Sequence, residues 1–126
     1  MTASELNKFL LQQASSIILS EKISNEVSEY VSLMKNKGSS IPLYFQEDED
    51  IFLSNSSVLI LLNETYNGNL SNMHLAYICD CLTIGENVIF ENENIKDIIF
   101  SLADPEINGG FRTTDEILIL INQIIG

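Results

Sequence analysis

Leu75–Gly109, LAYICDCLTIGENVIFENENIKDIIFSLADPEING, decides how the rest of the chain is read. Leu75, Ile78, Cys79 and Leu82 recur at three and four residues and so share one face of a helix, with Tyr77, Asp80 and Ile84 pointing elsewhere. Gly85 ends that helix, and Val88-Ile89-Phe90 is β-prone but too short to classify by period. Asn94 with Asp97 three residues later predicts the cap of a second helix, whose inner face is Ile95, Ile98, Ile99 and Leu102. Asp104-Pro105 stops it and starts a further turn, with Asp104 as cap and Pro105 in the first position. Asn108-Gly109-Gly110 then allows positive φ and a reversal.

Upstream, Thr2-Ala3-Ser4-Glu5 fits a capping box, and behind it Leu6, Phe9, Leu10, Gln13, Ala14, Ile17 and Ile18 continue a helical stripe. The stripe changes phase near residues 20–24. Ile23, Val27, Tyr30, Val31 and Met34 form a second one up to Gly38, so either two helices meet there or one long helix bends. Gly38, two serines and Pro42 stop it. Residues 41–53, IPLYFQEDEDIFL, place two β-prone runs around four consecutive carboxylates, which reads either as a small hairpin with Glu47–Asp50 at its tip or as an extended segment laid over helices. Ser54 or Asn55 caps a helix with Val58, Leu61, Leu62 and Tyr66 inward, ending at Asn67-Gly68, and Ser71 caps the next. Downstream, Thr113 to Glu116 repeats the capping box ahead of a last helix with Ile117, Leu120, Ile121, Ile124 and Ile125 inward.

The expected fold is mainly α: a single domain, 1–126, built as a bundle of six or seven short helices with at most a small β-hairpin in 41–53. A chain of 126 residues suits one core, and 45% hydrophobic residues suffice to fill it. No apolar run approaches the roughly 18 residues of a membrane span, and the start MTASELNKF has no basic-then-apolar leader, so a cytoplasmic location is expected. Cys79 and Cys81, two apart on one helix, cannot bridge without strain and read as reduced and structural.

Eighteen acids face six bases, for a net charge of −12. Residues 1–37 balance, with four of each. Residues 38–126 carry fourteen acids against only Lys96 and Arg112, so the whole excess lies on the later part. Such a field disfavours phosphate backbones and anionic lipid and attracts cationic proteins. Neither nucleic acid nor membrane is an expected partner.

Catalytic equipment is sparse. One histidine, His74, sits five residues from Cys79, not a same-face spacing, and reads as an ordinary surface or first-turn position. One histidine and a C-x-C fall short of a zinc site, and Asp48-Glu49-Asp50 lacks the glycine and terminal glutamate of a calcium loop. No phosphate-cradling glycine motif occurs, so no cofactor is expected. Paired carboxylates are plentiful, but no tryptophan offers a sugar-stacking surface, and an enzyme is not the expected reading.

Leu75, Ala76, Tyr77, Ile78 and Asp80, together with the corner Leu102 to Gly109 (LADPEING), resemble small bacterial immunity proteins of polymorphic toxin and contact-dependent growth inhibition systems. Cys79 and Cys81 depart from the alanines frequent there, which affects packing more than function. The resemblance implies a cytosolic antidote that binds the C-terminal domain of a cognate toxin, a cationic RNase or DNase, as a 1:1 heterodimer and blocks its active site. The candidate contacts are Glu47, Asp48, Glu49, Asp50, Glu86, Glu91, Glu93, Asp104 and Glu106, with Tyr44, Tyr66 and Tyr77 as aromatic anchors. Asp104 reads first as a helix cap and Tyr77 first as core, ahead of contact, while Glu47–Asp50 reads equally as a solvated turn. An acidic helical adaptor or structural subunit, and a nucleic-acid mimic, are the alternative functions.

Overall fold

Seven helices and one small sheet make up the protein, as seen in a computed structural model that describes residues 1–35 and 40–126. In chain order these are α1 (Ala3–Leu10), α2 (Ser16–Met34), β1 (Ile51–Leu53), α3 (Asn55–Tyr66), α4 (Asn72–Ile84), β2 (Val88–Phe90), α5 (Glu93–Leu102), α6 (Pro105–Asn108) and α7 (Thr114–Ile125). The fold is therefore mainly helical, as expected. The stop expected at Gly38 lies outside the described residues.

Capping chemistry sets most boundaries. Thr2 with Glu5 and Thr113 with Glu116 form the two capping boxes, and Ser54 and Ser71 accept from the third helical N–H of α3 and α4. The first break falls earlier than the phase change suggests. Gln12, at φ +60°, reverses the chain after α1, with Gln13 N–H donating to Lys8 O and Gln12 N–H to Phe9 O. Ser15 then caps α2, which runs unbroken through residues 20–24 and buries Leu19, Ile23, Val27 and Tyr30. Ile17 and Ile18 are consequently exposed. α5 likewise begins two residues early: Asn92, not Asn94, is its cap, and its side chain accepts from Ile95 N–H.

α4 is the axis of the molecule. Leu75, Ala76, Tyr77, Ile78, Cys79, Cys81 and Leu82 are all buried, because α2, α3 and α5 surround the helix. Each large apolar side chain removed from water there contributes about 1.5–3 kcal/mol. Tyr77 thus belongs to the core, its ring meeting Tyr30 edge-on at 5.3 Å and 79°. Burial pushes the Tyr77 hydroxyl pKa upward, so it stays protonated, and it accepts a hydrogen bond from Tyr44 N–H. Cys79 and Cys81 are free thiols, and burial raises both, Cys81 to about 12. α7 packs chiefly on α3 through Ile117 and Ile121; Ile125, expected inward, is exposed. In α3 it is Thr65, not Tyr66, that turns inward.

The hairpin does not form. β1 pairs in parallel with β2, Ile51 opposite Val88, Phe52 opposite Ile89 and Leu53 opposite Phe90. The crossover through α3 and α4 is what a parallel pair requires. Residues 40–50 run instead as an extended segment past α1, where Gln46 bridges to Thr2 and its carbonyl accepts from Ala3 N–H at 2.9 Å.

Gly85 links α4 to the sheet, and its need for glycine is steric. A Cβ there would lie 2.6 Å from Val88 Cγ2 and 2.9 Å from Glu47 Oε1. Gly85→Ala is expected to destabilise the fold by about 1–3 kcal/mol, through overpacking between α4 and β2. Urea unfolding checks it, and a midpoint equal to wild type would mean that the turn can open freely.

Candidate functional site

The sheet has one buried and one open face. Ile51 and Leu53 point into the core, while Phe52 and Ile89, opposite each other in the register, point out and are 57% and 58% exposed. An adjacent phenylalanine and isoleucine on an outer sheet face form an apolar pair largely open to solvent.

Carboxylates stand at both ends of that pair. At the N-terminal ends of the strands lie Glu47, Asp48, Glu49 and Asp50, which lead into β1, and Glu86, which leads into β2. At the C-terminal ends lie Glu91, directly after β2, and Glu93, the first residue of α5. Four steps of extended chain, about 13 Å, lead from Asn87 to Glu91. Seven of the expected contacts therefore flank a single small surface.

Most of these acids are held rather than free. Asp48 accepts from Ser4 N–H at 2.9 Å and Ser4 O–H at 2.6 Å, at the first turn of α1. Those two donors, the hydroxyl first, hold its carboxyl below the ordinary aspartate value, so it stays ionised. Glu47 accepts from the N–H groups of Glu86 (3.1 Å) and Asn87 (2.9 Å), which ties the segment before β1 to the one before β2. Asn7 Nδ2 donates to both Glu49 Oε1 and the Asp50 carbonyl. Glu91 accepts from Asn55 N–H at 2.7 Å, at the start of α3, where the helix dipole favours negative charge. The acidic run is thus a staple between α1 and the sheet and, at the same time, a rigid rim of exposed negative charge.

The remaining expected contacts lie elsewhere. Asp104 and Glu106 line a separate groove beside the α5–α6 corner. Asp104 is not the side-chain cap anticipated for α6: at φ +48° it makes no cap hydrogen bond, and its N–H donates at 2.7 Å to Asp80 Oδ1. Pro105 does take the first position, and Gly109 and Gly110 have positive φ. Tyr66 closes α3, 38% exposed. Tyr44 is exposed and donates to Glu29 Oε1 at 3.1 Å, away from the sheet's outer face.

Two other clusters carry titratable groups. His74 occupies the first turn of α4, bonded through Nδ1 to Ser71 Oγ (2.6 Å) and through Nε2 to Ser20 Oγ (3.3 Å). Its pKa is lowered by burial, and no carboxylate orients the ring. Asp80 accepts from Tyr30 O–H with Oδ2 and from Asp104 N–H with Oδ1, so both oxygens serve the fold. Among the described residues no group of three His, Cys, Asp or Glu could hold a metal ion, and no helix is long and apolar enough to cross a membrane.

Phe52 and Ile89 are the surface residues that sequence reading does not single out. Their one signal is that Ile51-Phe52-Leu53 and Val88-Ile89-Phe90 are apolar on both strand faces, a pattern of strands covered on both sides. The chain matches no family model, no curated protein and no solved structure.

Proposed function

We propose that this protein is an immunity protein: a cytoplasmic antidote that captures a basic, nucleic-acid-cleaving toxin domain on the outer face of its two-stranded sheet and blocks it as a 1:1 complex. The observation that carries this reading is the exposed Phe52–Ile89 pair between two groups of carboxylates. An apolar centre with a charged rim is the anatomy of a protein-binding hot spot, in which the centre slows dissociation and the rim speeds encounter. A nuclease domain, basic where it grips its substrate, is the complementary surface. Carboxylates already fixed by backbone N–H donors lose little side-chain freedom on binding, which favours tight capture.

The test is growth. Co-expression with the C-terminal domain encoded immediately upstream is expected to rescue cells from that domain's toxicity. Undiminished killing, with both proteins soluble and expressed, would overturn the reading in favour of an acidic adaptor.

A further inference from the structure

On another part of the surface, α2, α4 and the α5–α6 corner enclose an open groove of about 560 Å³, within the range of clefts that bind ligands. Ile84, Phe100 and Ile107 stand around it, 57%, 43% and 79% exposed. Asp80, Asp104 and Glu106 are its acidic residues, and none of the described residues that line it is Lys or Arg. Asp80 is fixed at the floor by the Tyr30 hydroxyl and the Asp104 N–H.

We propose that this groove docks a basic amphipathic helix of a protein partner, with leucine-like residues on Ile84, Phe100 and Ile107 and lysine or arginine facing Asp104 and Glu106. A helix laid in a helix-walled groove meets it with residues spaced three and four apart, which matches a rim of separated apolar side chains. Charge complementarity decides the sign of the occupant. A second copy of this chain, net −12, would bring like charge to a groove that already holds three carboxylates. The inference concerns this groove alone and stands apart from binding at the sheet.

The probe is a synthetic helical peptide with leucine and lysine on three-four spacing, titrated into ¹⁵N-labelled protein and followed by amide shifts. The shifts are expected to centre on Thr83, Phe100 and Ile107. Affinity is expected to fall about tenfold in Asp104→Asn/Glu106→Gln, whose spectrum away from the groove should overlay that of wild type. Replacing the peptide's lysines by glutamine should weaken binding as well. Shifts confined to Phe52 and Ile89, or equal affinity for wild type and the double variant, would overturn the proposal. So would spermine binding the groove as tightly as the peptide, since a small polycation would then suffice.

Discussion

Asp80→Ala is expected to cost about 2–4 kcal/mol of folding free energy. The substitution strands two donors, the Tyr30 hydroxyl and the Asp104 N–H, at about 1–3 kcal/mol each, with partial exposure keeping the total below the sum of the upper limits. It also removes what holds Asp104 in a left-handed conformation that a non-glycine residue adopts reluctantly, so the turn into α6 should loosen. Asp80→Asn, which can still accept from Asp104 N–H, should cost less. Urea denaturation of the two variants tests the order; equal stabilities would show that the corner does not depend on this acceptor.

The same residue predicts a pH dependence whose sign is unusual for an acid. Burial lifts the Asp80 carboxyl above its ordinary 3.8, so between that value and the raised one the folded state keeps a proton that the unfolded chain has lost. Ionised Asp80 therefore costs stability above the window, and acidification through it relieves the cost. Glu5 and Asp48 act oppositely: their lowered values stabilise the fold above the ordinary carboxylate range, and that contribution is lost as pH falls. Wild type should accordingly gain relative to Asp80→Asn as pH drops below the window. A gap that shrinks would refute the assignment.

The largest effect on binding is expected at the sheet. Phe52→Asp/Ile89→Asp places two charges in the centre of the proposed interface, where each must be desolvated without a partner. Loss of two apolar anchors acts in the same direction. Affinity for the proposed toxin partner should fall at least a hundredfold, about 3 kcal/mol, mainly through faster dissociation. Both side chains already face solvent, so the thermal midpoint should hardly change. That separation of binding from stability distinguishes an interface from a packing role, and titration calorimetry beside a melting curve measures both.

Local chemistry made much of this architecture legible from sequence alone. The boxes Thr2/Glu5 and Thr113/Glu116, the serine caps of α3 and α4 and the Asn108-Gly109-Gly110 reversal each encode a hydrogen bond or a φ value within three or four residues. The misreadings arose where a distant or unmarked partner decided the outcome. Gln12 turns the chain without the glycine or asparagine that usually signals it. Asp104 surrenders its capping role because Asp80, on another helix, anchors its N–H and the backbone turns left-handed. Ile51–Leu53 and Val88–Phe90 are three residues each, too short for a period, and only their meeting across two intervening helices makes them strands.

The candidate site divides in the same way. Its charge was visible as composition, because carboxylates are counted one at a time, and the fold does gather Glu47 to Asp50, Glu86, Glu91 and Glu93 around one sheet. Its apolar centre was not, since the exposure of Phe52 and Ile89 depends on a pairing between segments far apart in sequence. Nor was the double duty of Glu47, Asp48 and Glu91, whose acceptors tie helix and strand starts together. Reversing those three would confuse lost folding with lost binding. Glu86 and Glu93 are the cleaner probes.

The most direct measurement is stopped-flow association with the toxin domain proposed as its partner, over a range of sodium chloride concentrations, for wild type and Glu86→Gln/Glu93→Gln. Capture by a negative rim predicts an on-rate that falls steeply with salt, and a further drop of about threefold in the variant at low salt with dissociation nearly unchanged. An on-rate indifferent to both salt and the two glutamates would contradict it.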